Sequence, residues 1–192
     1  MIKLAVVGDI GSGKSYLAKQ FSFPVFNADI EVNKIYNKSK KCYTKLKKIL
    51  PNYINSFPIK KSEISAAIMG GSHNLSKIVK IVHPEVRSKM NFFIKKNKNK
   101  KFIVLDIPLL LENKINNKKD IIIYVEANKK EINKRLKKRY NINLKIIRKF
   151  RQIQLSPKVK KSKANIVIKN NFKKSSCKKN IKIILEKILS NV

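Results

Sequence analysis

The stretch GDIGSGKS at residues 8–15 constrains this chain more than any other. Gly8, Gly13, Lys14 and Ser15 satisfy the spacing G-x-x-x-x-G-K-[ST]. An apolar run, IKLAVV (2–7), leads into the loop, and a helix-forming run (14–22) follows it. Glycines let consecutive backbone N–H groups turn inward around an anion, and the start of the following helix presents its positive end to the same spot. Lys14 can then reach the outer phosphates of a nucleotide while the Ser15 hydroxyl ligates Mg2+. The strand before and the helix after are the context this pattern needs, so the loop with Gly8, Gly11, Ser12, Gly13, Lys14 and Ser15 is expected to hold the phosphates of a nucleotide.

The rest of the chain continues in the same style. IKLAVV (2–7), PVFNA (24–28), FIVLD (102–106), IIIYV (121–125) and NIVIK (165–169) are short continuous apolar runs, as expected of strands buried on both faces. Helical patterns lie between them, at 14–22, in several pieces between 30 and 98, at 128–139, 143–154 and 178–190. Alternation of this kind implies right-handed crossovers and an α/β fold whose five-stranded parallel sheet is covered on both sides, a three-layer α/β/α sandwich. About 73 residues separate the second strand from the third, too many for a simple crossover. That interval is expected to be an inserted helical lobe, with Gly70-Gly71 ending a helix inside it. A second, strongly basic insertion at 138–161 ends in what reads as a proline-containing turn. It is expected to be a mobile lid or a helical hairpin. The resulting division is a core at 1–28, 100–137 and 162–192, a lobe at 29–99 and a lid at 138–161.

Composition limits the partners. A formal net charge of +35 on 192 residues would suit a polyanion. Only five of the basic residues are arginine, at 87, 135, 139, 148 and 151, and lysine is spread along the whole chain with abundant Asn and Ile. That distribution is that of a solvated lysine surface produced by coding bias. Aromatic residues are not interleaved with the basic ones as nucleic-acid stacking would require. Two cysteines, Cys42 and Cys177, lack metal or redox spacing and fit free thiols. No run reaches the roughly 18–20 apolar residues that span a bilayer. A cytoplasmic monomer without a membrane or nucleic-acid partner is the expectation.

Position along the strands selects further residues. Asp29 follows the second strand and emerges at the same sheet edge as the loop. There it would accept the proton of an attacking hydroxyl, help place Mg2+, or simply cap the next helix. Asp106 closes the third strand and would bind Mg2+ through water or turn the chain ahead of Pro108. Arg135 and Arg139 fall four apart, and Arg148 and Arg151 three apart, so each pair shares a helix face. They are either lid cations for a transferring phosphate or solvated surface. NKKD at 117–120 mimics a guanine-reading string but precedes an apolar strand instead of following one. No Asp stands three residues before any glycine, so the chain lacks a GTPase switch element, and NKKD is read as a polar turn.

Several strings taken in order point to a family. GDIGSGKS, NADI after the second strand, IVHPEVR (81–87), DIPLLLE (106–112), KRLKKR (134–139) and RQIQLSPKVKKSKANIVIKNN (151–171) together resemble dephospho-coenzyme A kinase. The resemblance runs from residue 2 to about 171 and implies a nucleoside-kinase-like P-loop fold with a coenzyme-binding lobe and a lid. It implies transfer of the terminal phosphate of ATP to the ribose 3′-hydroxyl of dephospho-coenzyme A. By the same resemblance Asp29 is the general base, acting with Lys14 and Arg139. His83 and Arg87 belong to the substrate lobe, though His83 could equally be structural. Pro108, Leu109, Leu110 and Glu112 shape the substrate cleft, Arg151 and Gln154 occupy lid positions, and Asn170 falls near the adenine end of ATP. A shikimate-kinase-like enzyme shares the loop and an Asp after the second strand, but would ordinarily lack HPEVR and DIPLLLE. A basic, ATP-using nucleic-acid-binding protein would instead show salt-sensitive binding.

The chain also departs from the family pattern. Asp9 stands where a second glycine is common, Tyr16 beside the nucleotide where threonine is common, and Asn27 and Asn165 replace acidic residues. A carboxylate at Asp9 would repel a phosphate unless its side chain turns outward, and Asn27 removes one possible Mg2+ contact. These changes bear on affinity more than on reaction class, since Lys14, Ser15 and Asp29 are intact.

Overall fold

The computed structural model describes residues 1–138 and 143–190. The chain divides into two compact units, Met1–Asn27 with Asn97–Ile142 and Arg151–Val192 in one, and Ala28–Lys96 with Asn143–Phe150 in the other.

The first unit is built on a five-stranded sheet of β1 (Ile2–Gly8), β2 (Val25–Asn27), β3 (Phe102–Asp106), β4 (Ile121–Ala127) and β5 (Ile166–Asn170). The strand order is β2-β3-β1-β4-β5 and every pairing is parallel. Side chains of a strand alternate between faces. Leu4 and Val6 of β1, Val104 of β3 and Ile123 and Val125 of β4 meet α1 (Lys14–Gln20) and α9 (Lys174–Leu189) through Leu17, Ala18, Phe21, Ile181, Ile184 and Ile188. The alternate residues Ala5, Val7, Ile103, Leu105, Ile122 and Tyr124 are buried as well. Both faces of β1, β3 and β4 are therefore covered, which is why these strands read as continuous apolar runs; edge strand β5 exposes Val167 instead. The expected three-layer α/β arrangement is what the chain adopts.

Local details differ from the sequence reading. Strand β2 stops at Asn27, because Ala28 already begins a helix. It forms the sheet edge, where Pro24, which has no N–H, is tolerated while its carbonyl still accepts from Val104 N at 2.9 Å. The proline at 157 does not make a turn. It is the first residue of α8 (Pro157–Ser162), whose N-cap Ser156 accepts from Val159 N. This helix packs against β1. The remaining helix of this unit is α6 (Lys129–Lys138), which buries Ile132 and Leu136. NKKD is a polar turn, as expected: Asn117 N donates to Asp120 Oδ2 at 2.8 Å, and Lys3 pairs with Asp120 Oδ1 at 2.9 Å.

The second unit is helical: α2 (Ala28–Lys38), α3 (Lys40–Ile49), α4 (Lys61–Gly70), α5 (Asn74–Lys96) and most of α7 (Leu144–Gln152). Leu75, Ile78, Val82, Val86 and Met90 recur every three to four residues on α5 and are buried, giving the stripe on which α2, α3 and α4 pack. Helix α4 ends at Gly70, the break expected there. Its last carbonyls are held from outside. Lys149 Nζ donates to Ile68 O at 2.5 Å, and Asn74 Nδ2 donates to Ala67 O at 2.8 Å. A cation at a helix C-terminus is favoured by the unsatisfied carbonyls there.

Candidate nucleotide site and acceptor residues

The loop between β1 and α1 is a tight turn closed by Ser12 N donating to Asp9 O at 3.1 Å. Gly11 and Gly13 adopt φ values of +86° and +92°, in the left-handed region where a side chain is disfavoured. At Gly13 a Cβ would also overlap the Asn170 side chain, so both backbone conformation and space demand glycine. Ser12 is fully buried, and Leu17 N donates to Gly13 O at 3.0 Å to start α1.

Lys14 is 8% exposed, and among the described residues no carboxylate or carbonyl partners it. A buried ammonium without a counter-ion is costly unless an anion arrives. This cation, at the start of α1 directly after the glycine loop, fits the phosphates of a nucleotide. Ser15 opens the first turn of α1 beside it, whereas Tyr16 is exposed.

The carboxyl end of β3 supplies the acidic group of the same unit. Asp106 is 2% exposed, pairs in register with Val6 of β1 and Asn27 of β2, and accepts from Asn27 Nδ2 at 2.5 Å. Asn27, which departs from the family's acidic residue, thus orients Asp106. Asn165 keeps the acceptor an aspartate would offer, taking Ile122 N at 2.8 Å where β5 joins β4. The charge of Asp9 is felt at Tyr124. Burial first, then the carboxylates of Asp9 and Glu126, raise the Tyr124 phenol above its ordinary value.

After β3 the chain turns through Pro108, Leu109 and Leu110 to Glu112, with Leu110 buried and Pro108 and Leu109 half-buried. Glu112 Oε1 forms an ion pair with Lys160 Nζ at 2.9 Å and accepts a hydrogen bond from Leu155 N at 2.9 Å. The ammonium side chain of Lys160 is only 2% exposed. Arg151, near the end of α7 (Leu144–Gln152), and Gln154, just after it, each bury a side-chain polar atom, Nε and Oε1, that has no hydrogen-bond partner among the described residues. Lys160 was not marked by any sequence signal. A lysine in a lysine-rich segment reads as surface.

Asn170 ends β5, and its side chain engages the loop: Nδ2 donates to Ser12 O at 2.7 Å, while Oδ1 accepts from Phe172 N at 2.9 Å. Arg135 is exposed on α6 with its guanidinium 4.3 Å from the centre of the Phe172 ring. Arg139 lies outside the described residues.

Three of the residues expected at the acceptor fall in the helical unit. Asp29 is exposed at the second position of α2, inside the first turn and not at its N-cap; its carbonyl accepts from Asn33 Nδ2. His83 is half-buried and Arg87, one turn further along α5, is exposed. Arg148 is exposed on α7.

A parallel sheet ordered β2-β3-β1-β4-β5 with a glycine loop carrying Lys14 and Ser15 after its central strand defines a P-loop nucleotide-binding fold. The sequence profile of the dephospho-CoA kinase family matches residues 2–175. The chain belongs to that family. A dephospho-CoA kinase from Wolbachia sp. subsp. Brugia malayi is 30% identical over 190 residues, covering 96% of this chain and 97% of that protein. Two solved structures share the fold. TT1252 from Thermus thermophilus has a TM-score of 0.73 at 21% identity, covering 97% of both chains. Dephospho-CoA kinase from Campylobacter jejuni has a TM-score of 0.62 at 22% identity, covering 99% of this chain and 98% of that one. Among the described residues no helix is long and apolar enough to cross a membrane.

Proposed function

We propose that this kinase transfers the γ-phosphoryl group of ATP to the ribose 3′-hydroxyl of dephospho-coenzyme A. One observation carries the reading: the family match spans residues 2–175, so it includes the helical lobe and the segment from Asp106 to Glu112 as well as the phosphate loop. A phosphate loop alone would serve many acceptors.

The chemistry is direct in-line transfer. The 3′-oxygen forms a bond to the γ-phosphorus as the bond to the bridging β–γ oxygen breaks, and ADP leaves with that oxygen's electron pair. Lys14 and the loop amides neutralise charge on the phosphates. Asp29 takes the hydroxyl proton. Ser15 and Asp106 offer the hard oxygen ligands that Mg2+ prefers, one hydroxyl and one carboxylate, and a bound Mg2+ would neutralise phosphate charge there. His83 and Arg87 would hold the acceptor, Pro108 to Glu112 would shape its cleft, and Arg139, Arg148 and Arg151 would serve the lid.

The test offers dephospho-coenzyme A and shikimate separately, with ATP and Mg2+, and follows ADP release. Turnover is expected with dephospho-coenzyme A alone. No turnover with it, under conditions where ATP binds, would remove the reading.

A further inference from the structure

The phosphate loop carries a tie that its own sequence does not announce. Ser12 O accepts from the side chain of Asn170, which lies 158 residues away at the end of β5. The Asn170 amide can satisfy its neighbours in only one orientation. Its oxygen meets the Phe172 N–H, and its nitrogen meets the Ser12 carbonyl; a flipped amide would face donor to donor and acceptor to acceptor. Phe172 adopts a φ of +63° to present that N–H, and its ring lies 3.5 Å from where a Gly13 Cβ would stand.

The consequence follows from peptide geometry. The carbonyl of Ser12 and the N–H of Gly13 belong to one planar trans peptide and point in opposite directions. Asn170 captures the carbonyl on one side, so the Gly13 N–H is turned to the other. We propose that Asn170 is a positioning residue of the phosphate loop, fixing the Ser12–Gly13 peptide so that the Gly13 N–H faces the nucleotide phosphates. Its side chain is spent on the loop and on Phe172, and does not read adenine. Donors held in place before the ligand arrives need no reorganisation when charge must be bound. Gly13 is the other half of the same device, since a Cβ there would displace the Asn170 amide.

The inference deepens the ATP reading and rests on it, and one set of titrations separates the two. Binding of ATP, inorganic tripolyphosphate and adenosine is measured calorimetrically on the full chain and on Asn170→Ala and Asn170→Asp. Asn170→Ala is expected to weaken ATP and tripolyphosphate about tenfold, near the upper end of what one buried hydrogen bond contributes, with adenosine unchanged. Asn170→Asp keeps the acceptor for Phe172 N–H, and with it the local fold, but sets a carboxylate oxygen against the Ser12 carbonyl. It should weaken both phosphate ligands by more than the alanine variant does. In turnover, KM for ATP should rise while KM for dephospho-coenzyme A stays put. Equal losses for adenosine and ATP would return Asn170 to the adenine end and overturn the proposal, as would unchanged tripolyphosphate binding in either variant. Wild-type protein that bound neither ATP nor tripolyphosphate would overturn the ATP reading itself.

Discussion

The two units hold their polar residues in opposite ways. In the sheet unit three are tied by distant partners: Asp106 by Asn27, Glu112 by Lys160 and Leu155 N, and the Ser12 carbonyl by Asn170. In the helical unit the residues assigned to the acceptor, Asp29 and Arg87, stand exposed on α2 and α5. Two titratable groups packed into that unit stay protonated. Burial, and then the charge of Glu85, pushes the Cys42 thiol up to about 12, and burial likewise raises the Tyr36 phenol. A thiol so far from ionising is a small apolar side chain in effect. Phosphates are alike in every nucleotide, and a sheet edge can fix donors for them permanently. Exposed side chains on helices keep their rotamer freedom until a ligand orders them. Changes in the first unit should therefore appear as lost stability or phosphate affinity, and changes at the exposed residues of the second as lost turnover on an intact fold.

The sharpest break of that contrast is Lys160→Met. It leaves the Glu112 carboxylate buried with only Leu155 N, and loss of one partner of a buried pair costs about 3–5 kcal/mol. Urea unfolding should show the unfolding free energy falling by that amount, and the midpoint falling with it. The double variant Lys160→Met/Glu112→Leu should regain most of the loss, because an apolar pair of similar volume replaces a buried ion pair at little cost. No recovery in the double variant would mean that the pair does more than satisfy itself.

On the other side of the contrast stands Asp29→Asn. The residue is exposed and its side chain supports no described element, so the fold and ATP affinity should survive. Turnover should fall by about a hundredfold or more, the range expected on losing a general base. Near-wild-type turnover would remove Asp29 from that role, and an equal fall in ATP affinity would mean that it binds and does not catalyse.

The same contrast explains what could be read in advance. The loop and the central strands β1, β3 and β4 were legible because strands buried on both faces leave unbroken apolar runs, whereas β5, expected to be buried on both faces, leaves Val167 exposed. Helix α8 was not: PKVKKS has no apolar period, and its buried residue is a lysine whose partner, Glu112, is distant in sequence. Helix α9 begins at Lys174, four residues before its amphipathic pattern becomes visible, because KSSC carries no stripe. Asn170 could be marked as near the nucleotide by resemblance, but that its amide grips Ser12 is a tertiary fact. Asn27 and Asn165 looked like losses of charge. Each retains a hydrogen bond that only the folded chain displays, to Asp106 and to Ile122 N.

The smallest effect concerns Glu63, which gathers the 55–60 loop at the start of α4. Its Oε1 accepts from Asn55 N at 2.8 Å and Ser56 N at 2.9 Å, and its Oε2 from Ser56 Oγ at 2.9 Å and Lys60 N at 3.0 Å. Burial alone would raise this carboxyl, but those bonds outweigh it and hold it below the ordinary glutamate value. A depressed folded value means that the carboxylate contributes stability above its unfolded pKa, about 4.3, and that this contribution is lost as pH falls through the folded value. Glu63→Gln replaces one acceptor oxygen by a donor that faces two other donors. It should cost about 1–2 kcal/mol at pH 7, discounted for partial exposure, and leave turnover nearly unchanged. The difference between wild type and variant in urea midpoint should then shrink from pH 5 toward pH 3. A difference that stayed constant across that range would show that the packing of the loop, and not the charge of Glu63, holds it in place.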